Sequence, residues 1–535
     1  MHSKDINEMT ISSSSKVGSK TIKVKATKSI QYTLYYGTFI HTPELNNFEI
    51  CFNTILGVNE RGVIDFIYKD YKPEEHNDKS PIEFFLDSHD NDDHSRNRYR
   101  HGRLTLDYID YSNDTDTFFM PGFIDTHIHA SQFPNMGIGS DSTLLDWLND
   151  YTFPLEKEFT DNNKEGKFQF SRDIYSKVIN KTLSNGTTCA SYFTTIDSAT
   201  TNLFAELLLE MGQRGFVGKV CMNINDACEE YKESFEDCQE SMENIIVHLS
   251  NINPDNETLV KPIVTPRFAP VCSKDLLGYL GELSRDNNLP IQTHISENKN
   301  EIELVKKLFP DFPNYSSVYD GFDLLTSSTI LAHAIHLSPD ERKLIKKRGC
   351  SISHCPTSNS FISSGEAPIK QFLYHDNINV SLGTDVSGGF EPSILATMKH
   401  SILVSHHRCM KSDKPNRDRL TISDAIYMAT LGGAKAVGLE HMIGTFEIGK
   451  KFDAQLIDLS CEGSKVDVFD WQLPTSALEQ NEKIRKMKDL LGKLIFCGDD
   501  RNCVKVWCNG RLIVDKHANR RYDRWVMVNK YELDE

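Results

Sequence analysis

Met120-Pro121-Gly122-Phe123-Ile124-Asp125-Thr126-His127-Ile128-His129 carries an apolar approach into two histidines separated by one residue. Side chains on a β-strand alternate between faces, so His127 and His129 belong to the same side of a strand. Two neutral imidazoles at that spacing can grip one metal ion, and zinc is a common partner for them. A strand end with two incidental histidines gives the same pattern. What decides between the two readings is the company the pair keeps.

Three further segments supply that company. Gln292-Thr293-His294-Ile295-Ser296-Glu297 delivers His294, with Glu297 three residues on. Leu331-Ala332-His333-Ala334 delivers His333, and Val380-Ser381-Leu382-Gly383-Thr384-Asp385 delivers Asp385 just before Ser387-Gly388-Gly389. Each residue falls at the C-terminal end of an expected strand, the end at which several strands of an α/β barrel contribute catalytic groups. Any one of them alone reads more simply as a satisfied histidine or a turn-capping aspartate. Four arriving at equivalent places in successive strand–helix units do not.

The surrounding pattern repeats a strand and then a helix. Strands are expected at 122–129, 187–193, 218–223, 263–268, 291–294, 329–333, 350–354 and 379–384. Amphipathic segments lie between them at 172–183, 198–213, 300–308 and 339–347, and 422–437 closes the series. Eight such units predict an α/β fold, a closed (β/α)8 barrel of TIM type, over 121–443. An open doubly wound sheet competes, but no Gly-rich turn follows the first strand.

Strand-like segments flank this region at 30–39, 49–53 and 62–68, and again at 454–458, 504–508 and 511–514. The last two are joined by Asn509-Gly510, a strong hairpin dipeptide. Strands at both ends predict one small β domain built from 30–120 and 444–535. The polar stretch Tyr71–Arg103 is expected to be a poorly ordered surface insertion. Residues 1–29, Ser-rich at Ser12–Ser15, are expected to form a mobile tail rather than a signal peptide.

With 535 residues, 39% of them hydrophobic, the chain can bury a large core. Its net charge of -17 argues against non-specific attraction to nucleic acid or anionic membranes. No apolar run is long enough to span a bilayer. Thirteen cysteines without regular spacing fit reduced thiols and a cytoplasmic location. Walker-type phosphate loops, His-Glu-X-X-His and Cys-X-X-Cys are absent. So is the zinc signature of the nucleic-acid base deaminases, which leaves a free small molecule as the expected substrate.

Taken together, the Pro121–His129 run, Thr293-His294-Ile295-Ser296-Glu297, Ala332-His333 and Gly383-Thr384-Asp385 resemble the amidohydrolase superfamily in its mononuclear deaminase branch. His129-Ala130-Ser131-Gln132, Leu144–Pro154, Pro266-Arg267-Phe268, Ser353–Asn359 and Gly498–Asn502 are similar to the guanine deaminase family within that branch. The resemblance runs from about Tyr35 to Val514. It implies one zinc ion per subunit held by His127, His129, His294 and Asp385, and a homodimer. It also implies that guanine is hydrolysed at C2 to xanthine and ammonia, with Gln132 and Arg267 hydrogen-bonding the purine and Phe268 packing near it.

Within that frame Asp385 can take a proton from water as well as touch the metal, and Glu297 is placed to carry a proton to the ring and the leaving amine. His333 is read as holding or polarising the attacking water, with a fourth histidine ligand as the alternative. Two-metal relatives place a bridging Lys or Glu on the fourth strand. Here that strand is expected to end at Arg267, which argues for one metal. His354 and Cys355 are read as pocket wall and strand packing, and the charge-dense Glu229–Glu243 as a solvated helix face. The zinc motifs alone also admit another aminated heterocycle as substrate, such as an adenosine derivative, cytosine or a triazine.

Overall fold

A computed structural model describes residues 11–13, 19–23, 29–90, 103–160, 166–254, 258–413 and 417–516. The strand Phe123–His129 is buried at every position, as a parallel strand covered on both faces must be. It opens an arc of parallel strands that continues through Thr187–Phe193, Arg214–Gly218 and Val260–Pro262. A second parallel arc runs through Ile291–Ile295, Thr329–His333, Ser351–His354 and Val380–Leu382.

The arcs meet at two seams. At one, Val264 bridges to Ile291. At the other, Asp385 N donates to His127 O at 2.8 Å and His129 N to Val386 O at 2.9 Å.

The third and fourth strands differ from expectation. Each starts earlier and is interrupted, with short continuations at Val220–Cys221 and Thr265–Pro266 that pair with each other. Pro262 and Pro266 have no N–H to give the ladder, which shortens the pairing there. The helix expected over 422–437 is two helices, Ile422–Ala429 and Leu431–Ala436, broken at Thr430 with φ -124° and ψ -93°. The break lets Gly433 lie against Ile124, where an added Cβ would stand 2.7 Å from the Ile124 Cβ.

The acidic stretch 229–243 is only partly a solvated helix. The helix starts at Phe235, capped by Ser234, and Glu233 ahead of it is paired with the buried Lys219 at 2.5 Å.

Strands from both ends of the chain share a ten-stranded sheet. Ala454–Asp458 pairs antiparallel with Thr117–Pro121 on one side and Cys503–Cys508 on the other. Asn509 and Gly510, both at positive φ, turn the chain into Arg511–Asp515. Ile11–Ser13 and Ser19–Lys23, within the expected tail, are strands at one edge of the sheet. The rest of 1–28 lies outside the described residues.

The first part of the expected insertion is folded. Pro73–His76 is a 3-10 turn and Pro81–Asp90 a helix, and Tyr71 and Phe85 are buried with Tyr32, Leu34 and Ile55. Its aromatic residues explain this, because they bury enough apolar surface to order a segment otherwise polar. Residues 91–102 lie outside the described residues. All thirteen cysteines are free, and no helix among the described residues is long and apolar enough to cross a membrane.

One buried ion pair ties the first arc to the ten-stranded sheet. Arg214 reaches Asp453 with Nε–Oδ2 at 3.1 Å and Nη2–Oδ1 at 3.2 Å, and Asp453 Oδ1 also accepts from Asn509 N at 2.7 Å. Removing one partner strands the other charge in the interior. Asp453→Ala is therefore expected to cost about 3–5 kcal/mol in urea unfolding, and Arg214→Met/Asp453→Leu clearly less. A single variant within about 1 kcal/mol of wild type would show that the pair is not a clamp.

Candidate active site

The four strand-end residues converge. One ligand atom from each of His127, His129, His294 and Asp385 lies within 4.8 Å of every other. Asp385 Oδ1 is 3.2 Å from His127 Nε2 and 3.4 Å from His129 Nε2. His294 Nδ1 lies 2.7 Å from Arg267 O, which accepts only, so that nitrogen carries the proton and Nε2 keeps its lone pair. That Nε2 stands 3.2 Å from His129 Nε2, and the buried Nε2 of His127 has no hydrogen-bond partner. Facing nitrogens and an adjacent carboxylate make a donor set suited to a divalent cation.

The backbone turns sharply to aim these groups. His333 and Asp385 have φ of 69° and 49°, in the left-handed region. A Cβ at Gly388 would stand 2.6 Å from Ser358 Oγ and 3.1 Å from Asp385 Oδ2, so glycine leaves that carboxylate its room.

The electrostatics keep each group in a useful state. Burial lowers the pKa of His127 to about 4 against the opposing pull of Asp385, and burial with three neighbouring imidazoles takes His294 well below the ordinary value. Both imidazoles are neutral at pH 7. Burial by itself raises the Asp385 carboxyl, but His127, His129 and His333 outweigh it and hold the group well below the usual range. Burial likewise opposes the charged form of His333, yet Glu297 and Asp385 raise its pKa overall.

His333 is oriented from behind by Asn359, with Nδ1 2.9 Å from Oδ1, so its Nε2 faces Glu297 Oε2 at 3.5 Å and Asp385 Oδ2 at 3.7 Å. Glu297 is itself pushed up to about 7 by burial. Ser364 Oγ donates to its Oε1 at 3.3 Å, and Glu301 Oε2 accepts its backbone N–H at 2.9 Å.

A cavity opens onto the cluster, lined by His129, His294, Glu297, His333 and Asp385 on one side. Gln132, Arg267 and Phe268 line it as well, so the residues singled out in the sequence come together in one place, with His127 just behind. Leu144, Trp147, Leu148 and Ile362 give the cavity an apolar wall. His354 and Cys355 do not line it. They are packing residues, and burial, with Asp385 next, pushes the Cys355 thiol well above its ordinary value.

Glu156, on the helix Phe153–Lys157, escaped sequence reasoning although it lies two residues past the Leu144–Pro154 motif. Its fully buried carboxylate accepts from Gln132 Nε2 at 2.9 Å and from Arg267 Nη1 at 2.5 Å. Glu301 and Ser364 were missed too, and Asn359 was read only as the end of the Ser353–Asn359 motif, not as a partner of His333. Polar side chains that act through another residue carry no spacing signature, although Glu301 does complete a capping box with Asn298.

Metal analysis after dialysis separates holders from neighbours. His129→Ala and His294→Ala are expected to lose a bound divalent metal, while His333→Ala retains it at one equivalent per chain. Loss of metal from His333→Ala would make it a fourth histidine ligand.

Residues 118–513 match the amidohydrolase family. The chain is 42% identical over 484 residues to a probable guanine deaminase of Schizosaccharomyces pombe, covering 90% of this chain and 83% of that one. It is 40% identical over 490 residues to guanine deaminase of Dictyostelium discoideum, covering 92% and 99%. A crystal structure of guanine deaminase from C. acetobutylicum with guanine bound in its active site superposes with a TM-score of 0.73 at 32% identity, over 90% of this chain and 99% of that one. The family and this neighbour give the mixed α/β architecture a TIM-barrel type fold. A hydrolase acting on C–N bonds follows from the same likenesses, and by them the chain belongs to the amidohydrolase family.

Proposed function

We propose that this chain is a guanine deaminase, converting guanine and water to xanthine and ammonia. The observation that carries the reading is one cavity in which a metal-holding cluster faces a buried Arg267–Gln132 wall. The relatives named guanine deaminase, and the neighbour with guanine in its site, support it.

His127, His129, His294 and Asp385 would hold one zinc ion per chain. Bound there, zinc supplies Lewis acidity and lowers the pKa of a water in the site towards neutrality. Asp385, a carboxylate at working pH, accepts the proton that the water gives up. Glu297, with its pKa near 7, is present in part as the acid at neutral pH. It donates to the ring nitrogen beside C2, takes up the proton of the hydroxyl newly formed at C2 and passes it to the leaving amine. The amine then departs as ammonia, C2 becomes a carbonyl, and the proton held by Asp385 restores the acid form of Glu297. His333, fixed by Asn359, hydrogen-bonds the attacking water.

Arg267 and Gln132 engage the polar edges of the base, and Phe268 packs against it. A base lacking those edges would leave buried polar groups unpaired, which is how such a site rejects it.

The inferred architecture is a closed (β/α)8 barrel over 121–443 with a small β domain made of 30–120 and 444–535. The hydrogen bonds at both seams, and the pairing of Ala454–Asp458 with Thr117–Pro121, support it. A homodimer and a cytoplasmic location complete the reading; the former rests on the family resemblance, the latter on the free cysteines.

Ammonia release should follow addition of guanine and not of adenine, cytosine or adenosine. Glu297→Gln should lower kcat for guanine by about 10²–10⁴-fold with metal content unchanged. Turnover of another amine with guanine untouched would overturn the substrate, and full activity in Glu297→Gln would remove its role in proton transfer.

A further inference from the structure

Arg267 and Gln132 approach the cavity from separate elements, one just past Thr265–Pro266 and the other in the 3-10 segment Ala130–Asn135. Both are buried and both are held by Glu156. Its Oε2 is 2.5 Å from Arg267 Nη1, and its Oε1 is 2.9 Å from Gln132 Nε2 and 3.4 Å from Ser131 Oγ. Three residues earlier on the same short helix, the Phe153 ring packs against the guanidinium, 5.1 Å from its carbon to the ring centroid.

A carboxylate only accepts hydrogen bonds. Glu156 therefore dictates which way the Gln132 amide lies, with the NH2 towards itself and Oε1 towards Ser387, whose N and Oγ stand 3.4 Å and 3.5 Å away. It also takes up one nitrogen of Arg267 and balances its charge, leaving the other N–H groups of the guanidinium for a ligand. A buried amide without such a partner would have two orientations of similar energy, and only one of them would match a given base.

We propose that Glu156 is a positioning residue for base recognition, a single carboxylate that sets the amide orientation of Gln132 and the guanidinium plane of Arg267 together. It does not touch the metal cluster, and its effect falls on how the base is bound. The assignment rests on guanine being that base.

The test compares wild type with the isosteric Glu156→Gln, whose new amide can satisfy one partner but must present a donor where an acceptor stood. The KM for guanine should rise at least tenfold while kcat falls less than threefold, with metal content unchanged. Unaltered KM in a folded variant, or equal losses in kcat with KM unmoved, would overturn the assignment.

A second measurement does not depend on that variant folding. Gln132→Ala and Arg267→Lys share Glu156, so their effects on KM should be non-additive by about tenfold in the double variant. Additive effects would overturn the coupling. A wild-type chain inert towards guanine would remove the proposed substrate and this assignment with it, whereas wild-type turnover with additive effects removes the assignment alone.

Discussion

The seam between the Phe123–His129 and Val380–Leu382 strands is closed by the same residues that make the proposed metal cluster. Asp385 donates its backbone N–H to His127 O, and its carboxylate sits against the His127 and His129 rings. One layer below, Asp125 accepts from Thr384 N at 3.1 Å and Thr384 Oγ1 at 2.5 Å, and Thr126 Oγ1 donates to Leu382 O at 2.9 Å. Strand registry and donor convergence are thus one constraint. A slip of one residue would turn His127 and His129 away from Asp385.

Buried ion pairs fix the other side of the molecule. Arg214, Lys219 and Arg267 all lie on or beside the third and fourth strands, and each meets an acid from outside the two arcs: Asp453, Glu233 and Glu156. Such pairs add little net stability because desolvation offsets the attraction, but they penalise any arrangement that separates them. This part of the parallel sheet has the most interrupted strands, and the pairs hold it where backbone pairing is thin.

The legible part of the site was the part written at strand spacing. His127 and His129 declare themselves by alternation, and His294, His333 and Asp385 by ending short apolar runs. Glu156 was illegible for a physical reason: it sits in a long excursion between the first strand and the helix Lys167–Ser184, where no period relates it to Arg267, 111 residues away. Glu233 was misread because a run of acids looks solvated until a buried lysine is found opposite one of them. The folded segment 71–90 was hidden by its polar residues, since its order comes from a few aromatics meeting Tyr32 and Ile55 across the sheet. The alternation of strands and helices was readable over much of the chain, although the helices Lys274–Asn287 and Ile394–Lys411 were not read. Interruptions set by proline and by the Gly432-Gly433 packing were not.

The left-handed backbone at His333 and Asp385 bears on which sequences this site can drift through. Asp, Asn and His enter that region more readily than other non-glycine residues, so here the side chains the chemistry wants are also those the backbone tolerates. A β-branched or bulky replacement would meet a steric penalty of about 1–2 kcal/mol before any loss of ligation. The accessible neighbours at these two positions are therefore few, and variation in the proposed donor set would fall mainly on His127, His129 and His294.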